Sequence, residues 1–272
     1  MKLDHISYSQ MNTLHKCGEQ YRRRYIEGEK VPPGVAQIRG SSVHKPIELN
    51  LINKMQTGEF LPLEAIGDLA ADTVAAKMDG EIRLDGDYAE MGLAAAKGFV
   101  QNEVVSLSLL HAKQVAPSMS PKAVEVRIEL PPSDAIPVKL VGVLDIVDEH
   151  TGVHDTKTAQ KSPGKSDADD SGQLTTYDLL HRAHYGEEPK GLSLDVLVRT
   201  PSKGDLKVVS LQTKRSVEDL GVYVRRVQAA VRMIESEIFL PAPQDSWQCS
   251  TRFCGYAESC PFYNNGRTRP VS

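Results

Sequence analysis

The sequence has no apolar run that approaches the roughly 20 residues of a membrane-spanning helix. Residues 1–5 do not lead into the apolar segment of a secretory signal peptide either. No internal repeat or low-complexity segment interrupts the chain, and hydrophobic residues make up an ordinary 40% of it. We therefore expect a cytoplasmic protein with no membrane partner, organised as a single domain over residues 1–272.

An excess of positive charge is also missing. The 32 Lys and Arg residues are outnumbered by 36 Asp and Glu residues, which gives a formal net charge of −4. The overall charge therefore does not indicate a nucleic-acid-binding protein. The sequence also lacks the G-x4-G-K-[ST] motif, which excludes an ATPase with that phosphate-binding signature.

Cysteine is scarce, with four residues in the chain, and three of the four are clustered. Cys249, Cys254 and Cys260 form a C-x4-C-x5-C pattern in a polar segment near the C-terminus, while Cys17 lies near the N-terminus. Stable disulfides are not expected in the cytoplasm. The four thiols are either small buried hydrophobic groups or ligands of a soft metal centre. The clustering favours ligation of Zn²⁺ or an iron–sulfur cluster.

The periodicity of apolar residues changes along the chain. Residues 1–115 read mainly as helices, and strands follow where apolar and polar residues alternate. The predicted helices include 63–78, 88–113, 172–184 and 217–238, and the predicted strands are 122–130, 138–148, 153–158, 192–199 and 206–211. This order predicts a mixed α/β (α+β) fold, with a central mixed β-sheet flanked by helices.

Two carboxylates fall on adjacent predicted strands. Asp145 interrupts an apolar run, where an unpaired charge is costly, and Asp155 begins the tripeptide Asp155-Thr156-Lys157. The strand period places Asp155 and Lys157 on the same face. Carboxylates on neighbouring strands would form an oxygen-rich site for Mg²⁺ or Mn²⁺, with the lysine beside it. The alternative is an ordinary solvated strand face.

Other polar residues could complete such a site. We expect His44 in the first turn of a helix that opens after Ser42, where its imidazole could bind a metal. Gln173 and Tyr177 are four residues apart at the start of another predicted helix and share one face of it.

Positive charge is concentrated near the N-terminus, although the whole chain is acidic. Residues 14–45 contain seven Lys or Arg residues and only three Glu residues. The basic residues include Arg22, Arg23, Arg24 and Arg39. This local excess could form a surface that binds nucleic-acid phosphates. A solvated helix face explains the run Arg22 to Arg24 equally well.

In combination these motifs resemble the PD-(D/E)xK nuclease superfamily. Within it they are most similar to the RecB-like branch, which includes CRISPR-associated and phage exonucleases. The resemblance covers nearly the whole chain, from Ser7-Tyr8-Ser9 and Cys17 through Gly40 to His44, Gly142 to Asp145, Asp155-Thr156-Lys157 and Gln173 to Tyr177, and ends at the three-cysteine tail. It implies a restriction-endonuclease-like core at 116–240, a helical N-terminal part at 1–115 and a cysteine-bound cluster in the tail at 241–272.

The resemblance also implies roles for individual residues. His44, Asp145, Asp155 and the backbone carbonyl of Thr156 would hold Mg²⁺ or Mn²⁺. Lys157 would be the catalytic lysine, and Gln173 and Tyr177 would contact DNA or brace the site. The four cysteines, Cys17, Cys249, Cys254 and Cys260, would hold a [4Fe-4S] cluster. Two departures are present: the tail has C-x4-C where relatives commonly have C-x2-C, and Asp155 stands where many have Glu.

The expected function is therefore that of a metal-dependent DNA exonuclease that acts on single-stranded or frayed DNA. Recombination, phage DNA processing and CRISPR adaptation are the expected pathways. Since the chain has no P-loop, a helicase or another recombination or CRISPR protein would be the partner that unwinds DNA. Two alternatives remain: a catalytically silent DNA-binding or scaffold protein on the same fold, and a protein whose cysteines hold structural zinc.

Overall fold

A computed structural model of the protein describes residues 3–200, 204–243 and 245–263 of the chain. Within these residues six strands form one sheet: β1 (His5–Ser7), β2 (Pro121–Leu130), β3 (Lys139–Asp148), β4 (Gly152–Ala159), β5 (Leu192–Arg199) and β6 (Leu206–Thr213). Strand β2 runs along one edge of β3, and β1 and β4 pair with the two ends of its other edge. The β1–β3 and β4–β5 pairs are parallel and the others are antiparallel, which confirms the predicted mixed sheet.

Helices cover both faces of this sheet. They are α1 (Tyr8–Lys16), α2 (Gly18–Tyr21), α3 (Val35–Thr57), α4 (Leu63–Lys77), α5 (Leu93–Gln114), α6 (Gly172–Tyr185) and α7 (Val217–Glu235). One core holds residues of α1, α6 and α7 together with sheet residues such as Leu144 and Val196. A second core holds α3, α4 and α5 against Ile146 and Leu197. The predicted arrangement of a central sheet with flanking helices is therefore confirmed.

The start of α3 differs from the prediction. The helix begins at Val35 rather than after Ser42, so His44 lies in the middle of a 23-residue helix and Pro46 is inside it. The earlier start buries Val35 and Ile38 in the helical core. Proline at this interior position leaves the carbonyl of Ser42 without its usual helical donor.

Helix α1 begins directly after β1. Ser7 caps the helix: its Oγ accepts from the Gln10 amide at 3.3 Å, and the Ser7 amide donates to Gln10 Oε1 at 2.7 Å. Ser7 takes this position because it ends β1 with an extended backbone, as a capping box requires. The cap fixes the direction in which α1 leaves the sheet.

The chain after α7 returns to the N-terminal helices. The Gly18 amide donates to the Leu240 carbonyl at 2.6 Å, and a Cβ on Gly18 would lie 2.6 Å from the Leu240 amide nitrogen, so only glycine permits this approach. Arg23 donates to Ser259 Oγ at 2.7 Å and to its carbonyl at 2.8 Å. These contacts join segments that are more than 200 residues apart. None of the helices in the described part of the chain is both long and apolar enough to cross a bilayer.

Candidate active site and cysteine cavity

The centre of the site is the point where β3 and β4 separate. Their ladder ends at the pair Ile146 and His154, and the next residues in register are Asp145 and Asp155. Beyond this point the Thr156 amide donates to Oδ2 of Asp145 at 3.1 Å, so a side-chain oxygen takes the place of a backbone carbonyl as its acceptor. The divergence of the two strands leaves room for the two carboxylates.

Helix α6 fixes the orientation of the Asp145 carboxylate. The Tyr177 hydroxyl donates to Asp145 Oδ1 at 2.9 Å, and Gln173 Nε2 donates to the Tyr177 hydroxyl at 2.8 Å. Burial raises the pKa of Tyr177, and the charge of Asp145 adds to the rise, so the phenol keeps its proton and acts as a donor. Ser171 caps the helix by accepting from the Leu174 amide at 3.2 Å.

His44, Glu125 and Asp145 together form a candidate metal site. Each offers one ligand atom, and these atoms lie within 4.8 Å of one another. His44 Nδ1 is 3.5 Å from Asp145 Oδ2 and 3.7 Å from Glu125 Oε1. Burial alone would lower the pKa of His44, but the carboxylates of Glu125 and Asp145 raise it. A cation in this position would replace the proton between the imidazole and the two acids.

Glu125 carries no signal in the sequence that marks it as a site residue. It lies in β2 directly across from Asp145, between the paired residues Val124 and Ile146 on one side and Val126 and Leu144 on the other. Its φ of 49° is in the left-handed region, which a non-glycine residue rarely adopts inside a strand. Backbone strain of this kind is concentrated at functional sites. The register of β2 against β3 places Glu125 opposite Asp145. The sequence does not specify this register, because an irregular loop joins the two strands.

Asp155 is the most buried carboxylate of the site, with 0% exposure. Its Oδ1 accepts from Lys157 Nζ at 2.8 Å, whereas its Oδ2 has no hydrogen-bond partner among the residues that the structure describes. Burial raises the pKa of Asp155, Lys157 acts against the rise, and Asp145 adds to it. A buried carboxylate oxygen without a partner is costly, and a divalent cation would satisfy it. The donor set therefore fits a hard metal ion.

The site opens into a cleft of about 680 Å³. Its lining includes His44, Glu125, Asp145, Lys157 and Arg39. The Lys157 side chain is 43% exposed and therefore reaches the solvent of the cleft. A substrate in the cleft would contact the lysine and the carboxylates at the same time.

The four arginines predicted to bind DNA have different surroundings. Arg22 is paired with Glu19 at 2.9 Å and also with Glu27. Arg23 is buried between Glu19 and Ser259, which directs its guanidinium into the protein. Arg24 is exposed, with its guanidinium over the ring of Tyr25 at 5.2 Å.

Arg39 lines the cleft, but it too has an acidic neighbour. Its Nη1 lies 3.5 Å from Oε2 of the fully buried Glu103. Arg24 is exposed, whereas Arg39 lies in the cleft with 11% of its side chain exposed. The ion pairs of Arg22 and Arg23 would compete with a phosphate for their guanidinium groups. A DNA-binding role for all four arginines stays a prediction.

The four cysteines line one cavity. Cys17, at the N-cap of α2, faces the same space as Cys249, Cys254 and Cys260 from the tail. Burial raises the pKa of Cys249 and Cys254, and the neighbouring thiols add to the rise. All four are free thiols. The structure therefore brings together residues that are more than 230 positions apart in the sequence.

The spacing of the thiols bears on the kind of metal centre. A tetrahedral zinc ion with Zn–S bonds of about 2.3 Å would bring its sulfur ligands to about 3.8 Å from one another. Among the described residues, no three of these sulfur atoms lie within 4.8 Å of one another. An iron–sulfur cluster separates its thiolates more widely because the cluster lies between them. The choice between zinc and an iron–sulfur cluster stays a prediction.

Comparisons with known proteins agree with this geometry. The sequence profile of the PD-(D/E)XK nuclease superfamily matches residues 5–261. The chain therefore belongs to the PD-(D/E)XK nuclease superfamily, which confirms this part of the resemblance. A comparison with curated proteins found no match.

Solved structures resemble the protein at low sequence identity. A candidate exonuclease from Eubacterium rectale is 10% identical, with 99% of this chain and 91% of that chain covered and a TM-score of 0.50. The protein SSO0001 is 15% identical, with 94% and 95% covered and a TM-score of 0.35. At such identity the first of these similarities supports the fold alone.

Proposed function

We propose that the protein is a divalent-metal-dependent DNA exonuclease of the RecB-like branch, acting as one domain over residues 1–272. The observation that carries the proposal is the buried Oδ2 of Asp155, which has no hydrogen-bond partner among the described residues and lies beside the candidate metal site. A nuclease that had lost its activity would have no reason to keep an ionisable group in this costly position. Membership of a nuclease superfamily supports the same conclusion.

Residues from three strands and one helix would hold the ion. The expected ligand set is His44 of α3, Asp145 of β3, and Asp155 with the Thr156 carbonyl of β4. Glu125 of β2, whose ligand atom lies within 4.8 Å of those of His44 and Asp145, adds a third carboxylate. Mg²⁺ and Mn²⁺ prefer such oxygen-rich sites, and Mn²⁺ also accepts imidazole. When bound, the cation polarises the scissile phosphate and lowers the pKa of a coordinated water.

The protein's own residues would prepare the site for this chemistry. The Lys157 ammonium, held by Asp155 at 2.8 Å, would orient the attacking water or neutralise charge that develops on the phosphate. Tyr177 and Gln173 would keep Asp145 in one orientation through their hydrogen bonds. The cleft in front of these residues would admit a single strand or a frayed end. Membership of the nuclease superfamily supports DNA as the substrate.

We also propose that Cys17, Cys249, Cys254 and Cys260 hold a [4Fe-4S] cluster. Its main effect would be structural, because it would join the C-terminal tail to the N-terminal helices at the cavity where the four thiols meet. Purified protein with the cluster would be brown, with a broad absorption band at roughly 400 nm. A colourless protein that contains stoichiometric zinc would contradict this assignment.

The enzymatic proposal is tested by release of nucleotides from end-labelled DNA. Wild-type protein should release nucleotides from a free end with Mn²⁺ and release none with EDTA. Asp155→Asn should be inactive, because the amide cannot replace a charged ligand. Asp134→Asn, at an exposed loop position, is the matched control and should retain full activity.

Other outcomes of the same assay would distinguish the alternatives. Fragments of intermediate length from the first time point would contradict exonucleolytic release. DNA binding by the wild type without cleavage under any metal would favour a silent binding protein on this fold. The physiological context that we propose is the cytoplasm, in recombination, phage DNA processing or CRISPR adaptation, with a separate helicase or CRISPR partner to unwind DNA.

A further inference from the structure

A buried carboxylate lies between two arginines behind the wall of the catalytic cleft. Glu103 of α5 is fully buried. Its Oε2 lies 3.5 Å from Nη1 of Arg39 on α3, and its Oε1 lies 3.8 Å from Nε of Arg199 at the end of β5. Tyr88 donates its hydroxyl to Oε2 of Glu103 at 3.3 Å. We refer to Arg39, Glu103 and Arg199 as the arginine–glutamate cluster.

The cluster has more positive charge than its one carboxylate can neutralise. Within the described residues, Glu103 is the one acidic partner of both Arg39 and Arg199, so one positive charge remains. Some of its polar atoms are also buried without a hydrogen-bond partner in the described part of the chain, namely Nε of Arg39, Oε1 of Glu103 and Nη1 of Arg199. Buried charge with incomplete hydrogen bonding is costly, and a bound anion would offset part of that cost.

Arg39 is the member of the cluster that reaches the substrate site. It lines the same cleft as His44, Asp145 and Lys157. Its side chain is 11% exposed, and this exposed part lies at the surface of the cleft. A guanidinium presents its donors as a planar fork, so one edge can pair with a carboxylate while another binds a phosphate. Glu103 thus holds Arg39 from behind, and the cleft gives it access to substrate.

We propose that Arg39 binds a non-bridging oxygen of the substrate phosphodiester in the catalytic cleft, and that Glu103 is the positioning residue that orients its guanidinium. The inference rests on the proposed DNA exonuclease function. Arg199 packs its guanidinium over the ring of Phe99 at 5.7 Å and balances the charge of Glu103. The charge of Arg39 is therefore left for the phosphate, and it adds a second cation to Lys157 in the cleft.

The test separates cleavage from binding, with a labelled oligothymidine of about 20 nucleotides as the probe. Steady-state cleavage with Mn²⁺ gives kcat and KM. Fluorescence anisotropy in EDTA gives affinity at several salt concentrations, with Asp155→Asn added to every protein to prevent cleavage. The variants are Arg39→Ala, Arg39→Lys, Glu103→Gln and the double variant with Arg39→Ala and Glu103→Gln. Lys113→Ala, in the exposed last turn of α5, removes an equal charge away from the cleft and is the matched control.

Arg39→Ala should weaken binding about tenfold at low salt and reduce the slope of log K against log salt by about 0.7, the value for one single-strand phosphate contact. Its kcat should fall by about tenfold as well. Arg39→Lys keeps the charge and should keep the slope, but its kcat should stay about fivefold below wild type because an ammonium lacks the planar fork. Lys113→Ala should remain within about twofold of the parent in all three quantities.

Glu103→Gln gives a result that a merely structural role would not. It removes no cation, so DNA affinity should not fall, whereas kcat should decrease about tenfold because the Arg39 guanidinium is no longer oriented. Since Glu103 acts through Arg39, the double variant should have the kcat of Arg39→Ala alone. Thermal melting checks the fold of each variant. If Glu103→Gln is unfolded at the assay temperature, Tyr88→Phe removes one hydrogen bond to Glu103 and should lower kcat about threefold at unchanged affinity.

Two results would overturn the inference and leave the proposed function standing. In the first, wild type cleaves DNA and Arg39→Ala matches Lys113→Ala in kcat and in salt slope. In the second, the losses of kcat in Arg39→Ala and Glu103→Gln multiply in the double variant, which would show that Glu103 does not act through Arg39. A wild-type protein that binds DNA without cleaving it would contradict the proposed function, and the salt slopes would still decide whether Arg39 contacts a phosphate.

Discussion

Tyr177 on α6 donates a 2.9 Å hydrogen bond to Oδ1 of Asp145 on β3, while the Thr156 amide of β4 donates to Oδ2 at 3.1 Å. Each oxygen of this carboxylate is therefore fixed by a different element of the fold. The orientation of the Asp145 carboxylate, and of the lone pairs that could bind a cation, is thus set before any ligand binds. Such preorganisation is what an electrostatic catalyst requires.

The first prediction follows from this contact. Tyr177→Phe should reduce the rate of DNA cleavage by roughly ten- to a hundredfold, because loss of one hydrogen bond to a buried charged group costs about 1.5–3 kcal/mol. The measurement is the cleavage rate as a function of Mn²⁺ concentration. Tyr185→Phe, at the end of the same helix and away from the carboxylates, is the control and should behave as wild type. Equal cleavage rates for both variants would show that the hydrogen bond from Tyr177 to Asp145 is not needed for catalysis.

Lys157 gives the second prediction. Lys157→Ala should lower the maximal cleavage rate by roughly 30- to 1000-fold, the scale of one preorganised charged group, while Mn²⁺ binding measured by calorimetry persists. Lys161→Ala, exposed beyond the end of β4, should retain full activity. Loss of metal binding together with a normal rate at saturating Mn²⁺ would refute the proposed role of the lysine.

Several parts of this site could be predicted from the sequence. The alternating pattern located β3 and β4 closely enough to pair Asp145 with Asp155, and the helical spacing of Gln173 and Tyr177 put both on the face that reaches the carboxylate. These predictions depend on local periodicity, which the sequence records directly. Superfamily membership and the mixed sheet were predicted from the same motifs and are confirmed.

The parts that were missed depend on long-range contacts. Strand β1 has three residues and is formed by parallel pairing with β3, about 130 positions away. Glu125 reaches the site through strand register and a left-handed backbone, neither of which has a local signature. Glu19 lies three and four residues before Arg22 and Arg23 and pairs with both, and their DNA-binding role stays a prediction.

The cysteine cavity gives the third prediction. Cys17→Ala should lose iron and the brown colour to the same extent as Cys254→Ala, because both thiols face one cavity and an incomplete ligand set leaves an open iron site. Iron and sulfide content of each variant, compared with the wild type, is the measurement. If Cys17→Ala retained full iron while Cys254→Ala lost it, Cys17 would be a structural thiol only.

The fourth prediction concerns the attachment of the tail. Arg23→Ala removes both hydrogen bonds to Ser259 and should lower the free energy of local opening by about 2 kcal/mol. Limited proteolysis after residue 241 should then be roughly 30-fold faster, since cleavage follows the population of the open form. The neighbouring exposed Arg24→Ala should leave the rate unchanged. An unchanged rate for Arg23→Ala would mean that other contacts hold the tail.

The last prediction concerns stability against pH and uses His111 on α5. Its ring is fully buried, and neither nitrogen has a hydrogen-bond partner within the described residues. Burial lowers the pKa of His111 to about 4, below its ordinary value of 6.5. As the pH falls below 6.5, His111 becomes protonated in the unfolded chain but stays neutral in the folded protein. The free energy of unfolding therefore decreases until the pH reaches the folded-state pKa.

Between pH 7.5 and 5.5 this single group should reduce the free energy of unfolding by roughly 1 kcal/mol. His111→Leu should remove that share of the pH dependence, because leucine suits the apolar surroundings and does not titrate. Urea denaturation at both pH values measures the difference. If the free energy of unfolding changed equally with pH in the wild type and in His111→Leu, the imidazole would be solvated or paired in the folded protein.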